Sequence, residues 1–197
     1  PDGIVPFEMQ REAAHDVLDN ALSSFGERLK GFFVNNRADR IHLTDVFLPY
    51  WVFDVTARIS RTRIETREGT LYTQAKHNTR RDEFGDGLNN VLYCAVESPS
   101  RQLTSKLSTY DLSTVKAYTP KLLANKTAEL YSIDYQQASI NTRSKISEAF
   151  RFKHGHDPHG DSQTLISALI QNMSFRLLLL PVWVVNIIEE DNDIRVG

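Results

Sequence analysis

Phe47-Leu48-Pro49-Tyr50-Trp51-Val52-Phe53-Asp54-Val55-Thr56-Ala57-Arg58-Ile59 decides the fold. Trp51, Phe53, Val55 and Ile59 alternate there with Asp54, Thr56 and Arg58, the two-residue period of a strand with one buried and one wet face. Downstream, Glu68-Gly69 can turn the chain back into Thr70 to Lys76, so a long hairpin with a polar far end is expected. Val91-Leu92-Tyr93-Cys94-Ala95-Val96 is short and rich in strand formers, which assigns it to the same sheet with Asp86-Gly87 as its entry turn. Leu165 to Ile170 and Phe175 to Ile188 read as two more strands, and Asp191-Asn192 can turn the last into Ile194-Arg195-Val196.

Helical periods fill the gaps between these strands. Ala14, Val17, Leu18, Ala21, Leu22 and Phe25 step by three and four through Met9 to Phe25, opposite Arg11, Glu12, Asp16 and Asp19. Ser98-Pro99 and Thr119-Pro120 each resemble an N-cap followed by proline at the first helical position, predicting short helices through Leu103 and Leu107 and through Leu122 and Leu123. Asp134 with Gln137 three residues on makes a capping-box-like start for a longer helix carrying Tyr135, Ala138, Thr142, Ile146 and Ala149. Arg151 and Lys153 suit its carboxyl end, and Gly155 can stop it. The expectation is a single α+β domain over 1–197, a mostly antiparallel sheet with long hairpins packed on one face by two longer and two short helices.

Composition bounds the rest. The 197 residues are 41% hydrophobic and 24% charged, with nine Gly and seven Pro, which excludes a disordered tail and a collagenous or low-complexity chain. Twenty-three Lys plus Arg against twenty-five Asp plus Glu leave a charge of -2, so attraction to nucleic acid or an anionic membrane must be local. Leu177 to Val185 is the most apolar stretch, far short of the about 20 residues a spanning helix needs, so no membrane segment is expected within the chain. One cysteine, Cys94, cannot form an internal disulfide or a Cys-based zinc ribbon. A reducing, cytoplasmic setting is the simpler expectation. The opening Pro1-Asp2-Gly3 carries neither an initiator Met nor a secretory pattern and reads as part of a longer protein.

Phe47-Leu48-Pro49-Tyr50-Trp51-Val52-Phe53-Asp54 and Leu178-Leu179-Leu180-Pro181-Val182-Trp183, together with Tyr110-Asp111-Leu112 and the Tyr131 to Tyr135 approach to the long helix, resemble landmarks of bacterial zinc-ribbon-containing proteins often labelled primosomal-helicase-like. The resemblance covers Val5 to Val196 and implies the fold of the region that follows the ribbon. It implies no zinc site here, because the Cys-x-x-Cys pairs are absent, and no helicase chemistry, because Gly-x-x-x-x-Gly-Lys-Ser/Thr is absent too.

Two segments hold candidate chemistry. Between Arg58 and Arg81, the cations Arg58, Arg61, Arg63, Arg67, Lys76, Arg80 and Arg81 face only Glu65 and Glu68, a local charge of +5; such a hairpin can lie along phosphates, with Tyr72 or His77 stacking on bases. The competing reading is a solvated hairpin whose Arg and acidic residues pair across strands, and Asp82 and Glu83 follow at once. His154, His156, His159 and Asp161 could hold zinc, nickel or copper, against the plainer reading of an exposed polar loop. Asp82 to Gly87 superficially resembles a calcium loop but fails at Phe84 and at Tyr93, so a turn suffices. No Gly-x-Ser-x-Gly elbow accompanies His15, His42 or His77, and Cys94 reads as a buried inert thiol.

Trp51, Phe53 and Trp183 read as core, and Asp54 needs a partner in so apolar a strand, such as Arg58 on the same face. These residues point to a non-enzymatic interaction or scaffold domain that contacts a protein partner and needs no cofactor. Nucleic-acid binding by the 58–81 hairpin is the alternative, and metal-dependent hydrolysis by the 154–161 loop the second.

Overall fold

Three long strands organise the chain: β2 (Ile41–Arg67), β3 (Lys76–Cys94) and β6 (Ser162–Ile187). Among the described residues they join three two-residue strands, β1 (Gly3–Ile4), β4 (Lys116–Ala117) and β5 (Thr127–Ala128), in a six-stranded sheet of order β3-β2-β6-β1-β4, with β5 paired to β2. The computed structural model describes residues 1–24, 41–67, 76–97, 110–155 and 162–187. β2 with β3, and β1 with β4, run antiparallel, while β5 lies parallel to β2. Among the described residues there are two α-helices, α1 (Arg11–Ser24) and α2 (Tyr135–Gly155), and no helix is long and apolar enough to cross a membrane.

The chain divides into two compact units, each discontinuous in sequence: 1–49 with 111–130 and 179–197, and 50–110 with 131–178. In the first, Ile4, Phe47 and Leu179 form a small core against Phe7, Tyr118 and Leu122. Phe7 stands edge-on to Phe47 at 4.9 Å and to Trp183 at 5.7 Å, and the Lys126 ammonium lies 5.0 Å from the Phe7 ring centre. Lys126 also pairs with Asp45 and holds that carboxyl below its ordinary range. Among the described side chains of α1, Ala14 is buried and Leu18 half-buried, while Val17, expected on the apolar face, is exposed; Ala21 and Leu22 lie outside them.

The second unit carries the larger core. Trp51, Phe53, Val55, Ala57 and Ile59 of β2 point to one face, as the alternation predicts, and meet Ala138, Ile146 and Phe150 of α2. The helix stripe steps by four through Ala138, Thr142, Ile146 and Phe150, so one narrow face is submerged; Tyr135, expected in that stripe, is 40% exposed. Thr142 sits there because its Oγ1 donates to the Ala138 carbonyl at 2.7 Å, satisfying a hydroxyl that burial would otherwise penalise. Asp134 starts the helix as its spacing predicts, Oδ1 accepting from the Gln137 amide at 2.8 Å.

The structure differs from expectation at four places. The 162–187 segment is one strand: the polar Gln171-Asn172 stretch does not break it, and the core-facing positions simply change from Ile166, Ala168 and Ile170 to Met173 and Leu177. Asp86-Gly87 is no entry turn, and Asp82 to Gly87 no turn at all, since β3 passes straight through and Asp86 pairs in register with Ala57. The irregularity lies further on, where Phe53 pairs with Val91 but Val55 with Leu88; Asn90 takes the surplus residue in a left-handed conformation at φ 59°, a backbone state that asparagine tolerates better than most residues.

The two short helices are the fourth difference. Ser98-Pro99 lies outside the described residues. Thr119-Pro120 opens only a 3-10 turn, Pro120–Leu123, because Thr119 makes no side-chain cap bond and Asn125, at φ 62°, reverses the chain immediately. A second 3-10 turn, Leu112–Thr114, is capped by the Asp111 carboxylate on the Ser113 amide at 2.9 Å.

Candidate functional site

All three chemical features of the second unit hang on its sheet and on α2. At the far end of the hairpin, Arg61 stands opposite Asp82 and binds it at 3.0 Å, with its guanidinium 5.4 Å from the Phe84 ring centre. Arg80 reaches the same carboxylate at 3.3 Å, and Arg81 binds Glu83 at 3.0 Å and the Ser60 hydroxyl at 3.2 Å. Arg61 is the main reason the Asp82 carboxyl titrates below its ordinary range. Carboxylates thus engage three of the seven cations of the hairpin, Arg61 across the strands and Arg80 and Arg81 along β3. Among the described residues no ion pair involves Arg58, which is exposed, or Arg63, which is half-buried. The backbone places Arg67 opposite Lys76, and their side chains lie outside the described residues.

The helix end and β3 make the second feature. Asp86 faces the last turn of α2, where its carboxylate lies 2.7 Å from Lys153 Nζ and 2.6 Å from His154 Nε2, and also accepts from the Gly87 amide at 2.7 Å. Lys153 above all, then the other donors, draw the Asp86 carboxyl down to about 2. His154 stacks on Phe150 and meets Phe84 edge-on at 5.0 Å. His154 and Gly155 therefore belong to the helix and not to a loop, and the imidazole is engaged by Asp86 and two rings. His156, His159 and Asp161 lie outside the described residues, among which no group of three metal-ligating side chains occurs. Beside this turn opens a cleft of about 720 Å³ lined by Arg151, Phe152, Gly155, Thr164, Leu165 and Ile166.

An aromatic surface at the other end of α2 is the third. Trp51 is buried and donates its Nε1 to the Ile133 carbonyl at 2.8 Å. Tyr131, Tyr135 and Phe175 surround it edge-on at 5.7, 6.2 and 5.7 Å, and Tyr135 stacks on Phe175 at 4.4 Å. The three outer rings remain 54%, 40% and 48% exposed. Such a patch keeps large apolar area in water at a fixed geometry, since both its base and its ring contacts are rigid. Close by, Asn141 Nδ2 donates to the Tyr93 hydroxyl at 2.8 Å and ties α2 to β3.

Behind the patch, on the other face of the sheet, Asp54 finds Arg176, 3.1 Å away, and not Arg58; its second oxygen accepts from the Asn90 amide at 2.8 Å. Arg176 also donates to the Asn90 side-chain oxygen, so one guanidinium ties β2, β3 and β6 together across the bulge. Cys94 is buried opposite Tyr50 in register, and burial raises the Tyr50 phenol far above its ordinary value and pushes Tyr110 up to about 12.

The sequence matches no family model, and neither a curated protein nor a solved structure is significantly similar to it. Sequence reasoning located the cations and the helix end but missed the aromatic surface. Tyr135 was absorbed into the helix stripe, although its place directly after the Asp134 cap, where a side chain can lean off the packed face, is the signal that could have revealed it.

Proposed function

We propose that the chain acts as a protein-contact module whose partner seats apolar side chains on Tyr131, Tyr135 and Phe175. The exposed aromatic triad packed on a rigid tryptophan is the observation that carries this reading: tyrosine and its aromatic relatives supply most of the energy of protein interfaces from small central clusters. The rim agrees with such a use, because the Gln136 and Gln137 amides and the exposed Asp134 can bond a partner's backbone or cations around an apolar centre.

The test is quantitative co-purification from the source cells with three forms of the protein: wild type, a Tyr131→Ala, Tyr135→Ala, Phe175→Ala variant, and an Arg143→Gln variant altered on the exposed side of α2. A stoichiometric partner held by wild type and Arg143→Gln but released by the triple variant, with its unfolding transition intact, is the expected result. Equal recovery with all three forms would remove the aromatic surface from the function.

A further inference from the structure

In the second unit the sheet runs β3-β2-β6, and the outer side of β6 has no strand beside it among the described residues until Leu179, whose carbonyl accepts from the Val5 amide next to β1. A bare strand edge offers unpaired backbone donors and acceptors to any other strand, and proteins usually guard one with charge, proline or a bulge. The β3 edge is guarded in this way: its sequence carries Lys76, Arg80, Arg81, Asp82, Glu83 and Asp86, and its ladder with β2 is interrupted at Asn90. The β6 edge has neither charge nor proline. In a chain that is 24% charged, the fourteen residues from Ser162 to Phe175 include no Asp, Glu, Lys, Arg, Pro or Gly. Such a strand is stable in water only where something pairs with it.

The side chains of the edge say what pairs there. Ile166, Ala168 and Ile170 pack into the core under α2, and the residues alternating with them read Gln163, Leu165, Ser167, Leu169 and Gln171, the same series in both directions about Ser167. All five are exposed, Leu165 by 52% and Leu169 by 67%. We infer that this edge pairs with the same edge of a second copy of the chain, antiparallel about a two-fold axis at Ser167. The axis sets Leu165 opposite Leu169 of the partner subunit and Gln163 opposite Gln171 of the partner subunit. Directly opposite residues of antiparallel strands share a face, so both exposed leucines gain an apolar cross-strand neighbour and no charge is opposed. An isologous contact needs a surface complementary to itself, which this series is; a strand of any other protein would not require the symmetry. The paired stretch ends short of Leu179, where β1 takes the same side of β6. At its other end Phe152 of α2 is 88% exposed beside the cleft lined by Thr164, Leu165 and Ile166, so apolar surface flanks the edge there as well. Tyr131, Tyr135 and Phe175 lie outside the paired residues, and either surface can fail without the other.

The experiment is sedimentation velocity of the 197-residue chain. So short a contact associates weakly, and conversion from the 22.5 kDa species to one of twice that mass is expected between about 1 and about 100 µM. Ser167→Lys sets like charges against each other at the axis and is expected to weaken association at least about 10-fold, and Ser167→Glu to do the same. An equimolar mixture of the two variants is expected to restore the double mass, a rescue that only a position opposed to itself provides. The Tyr131→Ala, Tyr135→Ala, Phe175→Ala variant is expected to associate as wild type does. Hydrogen exchange of wild type, which needs no variant, is expected to slow at the amides of 163–171 as concentration rises over the same range, and it decides the matter should the charged variants fail to fold. A wild-type chain that stays at 22.5 kDa at about 100 µM, exchange at 163–171 that ignores concentration, or folded charged variants that associate like wild type or are not rescued by mixing, would overturn the assignment.

Discussion

Replacing Asp86 with Asn tests how α2 is fastened to the sheet. The carboxylate gathers three donors, Lys153 Nζ, His154 Nε2 and the Gly87 amide, within 2.9 Å, while its side chain is 21% exposed. Asn keeps the shape and one acceptor oxygen but loses the charge, so the test isolates the electrostatic part of the fastening. The Asp86 carboxyl sits at about 2 against an ordinary 3.8, mainly through Lys153. Taken at face value that depression corresponds to about 2.4 kcal/mol of stability at neutral pH. Lys153 is 48% exposed and water screens it, so about 1 kcal/mol is the sounder expectation, a fall of about 2–4 °C in the unfolding midpoint for a chain of this size.

The direction with pH follows from the depressed value. Stability from such a carboxylate is fully present above its unfolded value near 3.8 and disappears as pH falls through the folded value near 2. Urea unfolding of wild type and Asp86→Asn at pH 7, 4.5 and 3 therefore predicts a constant deficit at the first two and about half of it at pH 3. Urea carries no charge and leaves the pair unscreened. A variant as stable as wild type at pH 7, or a deficit that does not shrink on acidification, would show that the Asp86 contacts hold nothing.

Three further perturbations have definite expectations. Phe150→Ala removes the fully buried ring at the end of the α2 stripe and is expected to cost about 3–5 kcal/mol by chemical denaturation. Gly87→Ala places a methyl 3.2 Å from the Val55 carbonyl, which a central strand cannot easily move, whereas Gly85→Ala meets nothing within 4 Å; the first is expected to destabilise by about 1 kcal/mol and the second to be neutral or stabilising, an ordering that thermal melts can read. At the bulge, Asn90→Val forces a β-branched residue into φ 59° and also breaks the Arg176 bond, so it is expected to cost more than Asn90→Gly, which breaks only the bond.

Alternation made the core of the second unit legible. Trp51, Phe53, Val55 and Ile59 announce a half-buried strand, and the Asp134 cap announces the helix that covers it. Periodicity says nothing of length, however, and so the 162–187 strand was read as two: a run of polar residues looks like a break in sequence, but a strand lying beside one as long as β2 can keep its backbone bonds whatever its side chains are. The Asp54 partner was unreadable for a related reason. Its alternation pointed along β2 to Arg58, whereas the actual partner, Arg176, comes from a strand more than a hundred residues away, and sequence spacing carries no information on which strands become neighbours.

Charge is where sequence and structure speak most differently. Counting cations treats the 58–81 segment as one basic stripe, but the register sorts it: Arg61, Arg80 and Arg81 meet carboxylates, while Arg63 is set against Arg80 and Arg67 against Lys76. Arg80 answers its opposite cation by binding Asp82, so Arg63 is the described cation of this ladder that meets no described carboxylate, and Arg63→Gln is expected to leave the unfolding midpoint level or slightly raised in a thermal melt.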